Sequence, residues 1–177
     1  NDAGLNFAAS TVGGALNATA TTGNMTDSGA LAITGTSSFT TSANNATIAL
    51  DTTTNAFTGA VTITTNDDSG TDADVTIDGG TTAFILAAST IDGDLTLTSG
   101  HASGITDSGT VTVGGNLTAT TDANSGVINL DTLAVDGTVK LTTNGSGNAT
   151  VVNDAGLNFA ASTVGGALNA TATTGNM

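Results

Sequence analysis

The chain has 177 residues, 24 of them glycine, and contains no Cys, Pro, Trp or Tyr. Its acids are all Asp, 15 in number, and against the single Lys140 they leave a net charge of −14, which argues against nucleic acid or an anionic membrane as a partner. With 38% hydrophobic and 9% charged residues it is too apolar for a disordered chain, yet five Phe are its only aromatics, so a thin core is expected and not a thick globular one.

In chain order, the first recurring element is a glycine-centred module: apolar, any, Gly, any, apolar, any, apolar. It is read at Val12–Ala18, Ile33–Phe39, Phe57–Ile63, Ile91–Leu97, Val113–Ala119 and Val135–Leu141. A seventh copy is Val164–Ala170. The central glycines are Gly14, Gly35, Gly59, Gly93, Gly115, Gly137 and Gly166, so four short steps are interrupted by two long ones, Gly59 to Gly93 and Gly137 to Gly166. Between the modules lies a second element, two alternating apolar residues closed by an acid: I-A-L-D at 48–51, V-T-I-D at 75–78 and I-N-L-D at 128–131, with shorter forms M-T-D at Met25 and I-T-D at Ile105. Both elements have period two, are rich in Val, Ile and Thr, and are bounded by Gly, Asn, Asp and Ser, so they read as short strands joined by turns. Glycine and β-branched residues leave helix with little support. No apolar run approaches the roughly 20 residues of a membrane-spanning helix, and no basic, apolar leader opens the chain, so any export signal is placed outside these residues.

A longer period overlies the short one. Asn1–Met25 returns unchanged as Asn153–Met177, so residues 1–152 form one tandem unit and 153–177 begin the next, with no separate globular domain and with capping units expected beyond both ends. Strands of this length cannot cover their apolar sides alone, whereas stacked parallel coils can. The expected fold is an all-β, right-handed parallel β-helix, a β-solenoid of about 21–34 residues per coil. Aligning the modules predicts an inward row of Val12, Ile33, Phe57, Ile91, Val113 and Val135, a second of Leu16, Ser37, Val61, Leu95, Leu117 and Val139, and a third of Ala18, Phe39, Ile63, Leu97, Ala119 and Leu141. One glycine step per coil gives six coils per unit, about 29 Å at about 4.8 Å each. The central glycine is read as a corner or close backbone approach. The two long steps share an A-A-S-T piece, within Ala83–Gly93 and Gly156–Gly166, and are expected to carry an extra strand or loop.

With the modules laid out, the chain resembles the repeat regions of filamentous-haemagglutinin-like adhesins, giant bacterial surface proteins with β-helix shafts built on similar G-x-L-x-L-T motifs. The resemblance implies secretion to the cell surface, a long shaft, self-association end to end or laterally into fibres, and a role in adhesion or surface coating with a cell-surface or host glycan target. Near-identity from one tandem unit to the next favours a repetitive filament over a compact adhesin tip.

Residue inventory argues against an enzyme: one His, one Lys, and no Cys, Arg, Glu or Tyr. His101, in S-G-H-A-S-G, reads as a solvated turn residue, and no catalytic, cofactor or metal site is assigned. The strand-closing Asp27, Asp51, Asp78, Asp107 and Asp131 are expected to stack as a ladder, serving as Asx turns or, alternatively, as carboxylates sharing calcium. Asp67, Asp68, Asp72 and Asp74 form a second calcium candidate that matches no standard calcium loop. Outward positions Asn17/Thr19, Ser38/Thr40, Thr62/Thr64, Thr96/Thr98, Thr118/Thr120 and Lys140/Thr142 approach the Thr-x-Thr array of an ice-binding face, the main alternative to a structural fibre or a passive spacer. Sequons at Asn17, Asn24, Asn45, Asn116, Asn148 and Asn169 would permit glycosylation.

Overall fold

Residues 1–66 and 72–177 are described by a computed structural model. The period-two segments are strands, and no helix occurs among the described residues. The first three coils each run short strand, short strand, glycine corner, longer strand. They are β1 (Leu5–Phe7), β2 (Ser10–Val12) and β3 (Leu16–Ala20); β4 (Met25–Asp27), β5 (Leu31–Ile33) and β6 (Ser37–Thr41); and β7 (Ile48–Leu50), β8 (Ala56–Phe57) and β9 (Val61–Thr64). The fourth and fifth are β10 (Val75–Asp78), β11 (Phe84–Leu86) and β12 (Ser89–Ile91), then β13 (Leu95–Ser99), β14 (Ile105–Asp107) and β15 (Val111–Val113). The sixth merges its later strands, giving β16 (Leu117–Asn124) and β17 (Ile128–Val135), and the seventh has β18 (Thr138–Asn144) and β19 (Ala149–Asn153). β20 (Asn158–Phe159) and β21 (Leu168–Ala172) open the next unit.

Every ladder between these strands is parallel, and partners lie one coil apart, which makes the molecule a β-solenoid. One face is the eight-stranded sheet β1-β4-β7-β10-β13-β16-β18-β20, a second is the short sheet β2-β5-β8, and the third is a ten-stranded sheet containing β3, β6, β9 and the later strands.

Register counts the coils. Leu5, Met25, Ile48, Val75, Leu95, Leu117, Val139 and Phe159 occupy one column of the eight-stranded sheet, and the longest step in it is from Ile48 to Val75. Seven coils therefore separate Leu5 from Phe159, at about 22 residues each. The expected six coils per unit are corrected to seven, and the expected coil length to roughly 20–27 residues. The four short glycine steps are single coils, while the two long steps together span three. The predicted rows break at the same place. Val12, Ile33 and Phe57 stack on the three-stranded sheet, whereas Ile91, Val113 and Val135 stack on the ten-stranded one. Leu16, Ser37 and Val61 continue into Leu86, while Leu95, Leu117 and Val139 follow Val75. Ala18, Phe39 and Ile63 likewise lie on a different face from Leu97, Ala119 and Leu141. A parallel ladder accepts any strand with apolar residues at alternate positions, so V-T-I-D packs beneath L-T-L-T as readily as another glycine module would.

The A-A-S-T pieces mark the change of face. Between Val61↔Leu86 and Thr64↔Thr90 the upper strand carries one extra residue, a β-bulge, and the same extra residue falls between Val139↔Phe159 and Thr142↔Thr163. The serine of each bulge replaces the lost rung. Ser89 Oγ donates to Ala87 O at 2.8 Å and accepts Ile63 N–H at 2.9 Å; Ser162 Oγ donates to Ala160 O at 2.9 Å and accepts Leu141 N–H at 3.0 Å. The expected extra strand is present, four strands (β9 to β12) between Gly59 and Gly93 against three (β13 to β15) between Gly93 and Gly115, and the A-A-S-T piece is a bulge between the last two of the four.

The central glycines do form corners, in two separate stacks. A Cβ on Gly35 would stand 2.6 Å from Gly14 C, and one on Gly137 would stand 2.7 Å from Gly115 C, so close approach of successive backbones requires glycine there. The hydrogen bonds Gly35 N–H to Gly14 O and Gly137 N–H to Gly115 O, both 3.0 Å, run along these stacks.

Alternate residues point inward into one continuous core that runs from Ala18 to Leu157. Four of the five Phe climb through its first four coils as an edge-to-face series, Phe7–Phe39–Phe57–Phe84, with centroids 6.0–6.2 Å apart. Later coils fill the same space with Leu, Ile, Val and Ala. Phe39 touches aromatic neighbours above and below. Phe39→Ala should therefore destabilise the chain by about 3–5 kcal/mol in urea unfolding, and Thr40→Ala, one residue outward, by under about 1 kcal/mol.

Candidate functional site

The surface consists of outward strand columns and polar corners. Thr19, Thr40, Thr64, Thr90 and Thr112 form one unbroken column on the ten-stranded sheet, which ends at Ala134. On the eight-stranded sheet, Thr76, Thr96, Thr118 and Lys140 form one column, and Asp78, Thr98, Thr120 and Thr142 form its neighbour. The single array expected from aligned modules is therefore divided between two faces. Complete Thr-x-Thr rows stack on two adjacent coils of the eight-stranded sheet, Thr96/Thr98 and Thr118/Thr120.

The five strand-closing acids do not form one ladder. Asp27 and Asp107 sit in columns that are otherwise inward, Asp107 directly opposite buried Leu86, because their strands are one residue shorter than V-T-I-D. Each caps the coil above: Asp27 Oδ2 accepts Asn55 Nδ2 at 2.7 Å, and Asp107 accepts Asp131 N–H at 3.1 Å together with Thr132 N–H and Oγ1, both at 2.8 Å. Asp51, just beyond the Leu50↔Ile77 pair, neighbours Asp78, and Asp131 lies exposed on another face. Asp78 alone of the five shows the Asx turn onto its own backbone, accepting Gly80 N–H at 2.7 Å. Asp27 and Asp107 reach across to neighbouring coils because stacking sets a residue closer to the coil above than to its own turn.

The Asp78 carboxyl is held above its ordinary value of 3.8. Burial disfavours its charged form, the Gly80 N–H works in the opposite direction, and the nearby charges of Asp122, Asp51 and Asp27 push it further up. In the window above 3.8 the folded state binds more protons than the unfolded one, so this group's contribution favours folding at low pH and is lost as pH rises through the folded value. Asp78→Asn should raise the melting temperature by about 1–3 °C at pH 7, a small gain because solvent and salt screen a half-exposed group. The gain should vanish below about pH 3.8, where both forms are neutral.

In the second acidic candidate, Asp67 and Asp68 lie outside the described residues. Asp74 Oδ1 accepts Asp94 N–H at 2.8 Å, and Asp72 lies beside Asn45, whose amide nitrogen, turned toward it, donates to the carboxylate at 2.8 Å. Asp74 thereby starts a corner ladder not legible in the motifs: Asp94 Oδ1 accepts Asn116 N–H at 2.7 Å, and Asn116 Oδ1 accepts Thr138 N–H at 2.9 Å. Its only sequence signal is the short polar residue that follows Gly93, Gly115 and Gly137. Among the described residues no group of three or more potential metal ligands converges. His101 occupies a turn, with Nδ1 accepting Ser103 N–H at 3.0 Å.

All six sequon asparagines are exposed. Three of them also cap the next coil, Asn24 to Thr47 N–H at 3.0 Å, Asn116 to Thr138 N–H and Asn148 to Ala167 N–H at 2.8 Å. Two other asparagines are buried and carry no signal in the sequence. Asn55 accepts Leu31 N–H at 2.8 Å, and Asn153 accepts Val135 N–H at 2.8 Å while donating to Gly156 O at 2.9 Å, so each supplies a missing backbone rung. A concavity of about 570 Å³ is an open notch beside Val135–Thr138 and Ala155–Asn158 whose one titratable side chain is Asp136.

Stacked parallel coils, glycine corners and polar outward columns define a solenoid of tandem repeats. The chain belongs to the family described as Repeats of unknown function (DUF5649), which matches residues 1–64 and 72–143. The two matched segments correspond to the coils before and after the glycine modules change face. No curated protein and no solved structure matches the chain.

Proposed function

We propose that this chain is a length of structural shaft in an extracellular bacterial fibre, without enzymatic activity, of the kind found in filamentous-haemagglutinin-like surface proteins. The observation that carries the reading is the junction between units. β20 and β21, from the second copy of the repeat, pair with β18 and β19 of the first through continuous parallel ladders, and Leu157 joins the same hydrophobic core. A chain of such units has no natural break, and its length scales with the number of copies. Function in such a molecule resides in reach, stiffness and a repeated polar surface. Fourteen net negative charges per 177 residues keep neighbouring shafts soluble and apart. Side-chain caps such as Asp94 on Asn116 and Asn148 on Ala167 tie one coil to the next at several corners. Any adhesive contact with a cell surface or host glycan then belongs to the repeated outer columns or to regions outside these residues. The division of the threonines between two faces favours this reading over an ice-binding one, which needs a single flat array.

Electron microscopy of the full-length secreted chain tests the proposal. Unbranched rods that lengthen by about 34 Å for each added tandem unit are expected, seven coils at about 4.8 Å. Compact particles whose size does not track copy number would reject it.

A further inference from the structure

The repeat and the coil are not commensurate. Asn1–Met25 and Asn153–Met177 are identical in sequence and pair alike within themselves, Leu5 N–H to Asn24 O as Leu157 N–H to Asn176 O, both at 2.9 Å, yet they stand in different columns of the sheets. In the first copy Leu5 stands in the Met25–Ile48–Val75 column; in the second that column is occupied by Phe159, the counterpart of Phe7. The ten-stranded sheet shows the same offset independently. Leu16 stands in the column of Leu86, whereas its counterpart Leu168 stands in the column of Phe84, two residues earlier. Seven full turns thus lead from Leu5 to Phe159, but the repeat returns Leu5 as Leu157, two positions short of closing on the coil.

A deficit of two is the smallest that leaves the core intact. Side chains alternate with period two, so an offset of one would turn every inward residue outward, while an offset of two keeps Leu157 buried and Asn158 exposed.

We infer that each unit of the array is turned by about one-eleventh of a circumference, roughly 33°, relative to the one before, against the direction in which the chain winds, because two of about 22 residues per coil are missing. Groups that occur once per unit then follow a long-pitch helix around the shaft. Lys140, the single cation, is the clearest of these, exposed on the eight-stranded sheet in the Thr118 column. An extended partner that engages this amine on several consecutive units has to wind around the shaft, and a flat surface meets it only about once in eleven units. The rotation accumulates over about 370 Å of length before the pattern repeats.

The inference rests on the same tandem array as the proposed shaft, and two measurements separate their failures. The first uses the 177-residue chain, which has no native cysteine. Thr138 pairs with Asn158 across the junction, so the double variant Thr138→Cys/Asn158→Cys should oxidise to a disulfide. Lys140→Cys/Asn158→Cys should not, because two positions along a strand carry the Cα atoms beyond about 7 Å. Thr118→Cys/Lys140→Cys, in register on adjacent coils, calibrates the yield. Preferential bridging of Lys140→Cys with Asn158→Cys, or bridging at neither junction pair while the calibrating pair closes, overturns the inference. The second is helical reconstruction of multi-unit rods. A rotation between units that departs from the coil-to-coil twist by that one-eleventh of a turn is expected, and units superposed by the twist alone overturn the inference while leaving the shaft reading in place. Absence of rods rejects the shaft reading, and the disulfide result still decides the register.

Discussion

The structure depends on one constraint: in the strands, each coil's backbone N–H and C=O groups point along the solenoid axis and are satisfied by the coils above and below. Buried backbone polar groups must be paired, and in the strands the pairing partner belongs to the next coil, as Val75 pairs with Ile48 on one side and Leu95 on the other. Glycine at the corners follows from this, since strands can stack at ladder distance around a bend only where no Cβ intervenes. The polar caps follow as well. Wherever a strand shortens or a bulge removes a rung, a Ser, Asn or Asp side chain supplies the missing donor or acceptor, as Ser89 does for Ile63 and Asn153 does for Val135.

The same constraint explains how one short motif serves two faces. A parallel ladder reads backbone spacing and the inward or outward sense of side chains, and it is indifferent to which face a glycine module occupies. The A-A-S-T bulge lets a single longer strand be followed by two shorter ones, so the modules of residues 1–64 turn the corner between the three- and ten-stranded sheets and those of 72–143 the corner between the ten- and eight-stranded sheets. Aromatic packing follows the division. Large rings fill the first four coils and smaller aliphatic side chains the rest, and the aromatic series begins again when Phe159 enters the second unit.

Much of this was legible in the sequence. Period two, β-branched composition, glycine corners and the long tandem repeat lead directly to a parallel solenoid, and inward residues such as Ile33, Phe39, Leu95 and Leu117 were correctly separated from their outward neighbours. Coil number and column membership were not legible, because the I-A-L-D and V-T-I-D strands satisfy a ladder as well as the glycine modules do, and similarity between modules says nothing about which pair in space. The acids were misread for a related reason. Whether an Asp at a strand end points inward, as Asp27 does, or outward, as Asp78 does, turns on one residue of strand length. Ser89 and Ser162 lie in the A-A-S-T piece, whose recurrence marks the place without revealing the rung each serine replaces, and Asn55 and Asn153 carry no motif beyond being short and polar, as much of this chain is.

The central claim is that parallel coils stack along a single axis with seven coils to each repeat. X-ray fibre diffraction from aligned multi-unit chains addresses it most directly. The account predicts a strong meridional reflection at about 4.8 Å, with a weaker meridional reflection at about 34 Å for the axial rise per unit. Strand spacing off the meridian, or a rise per unit of about 29 Å, the value for six coils, would contradict it.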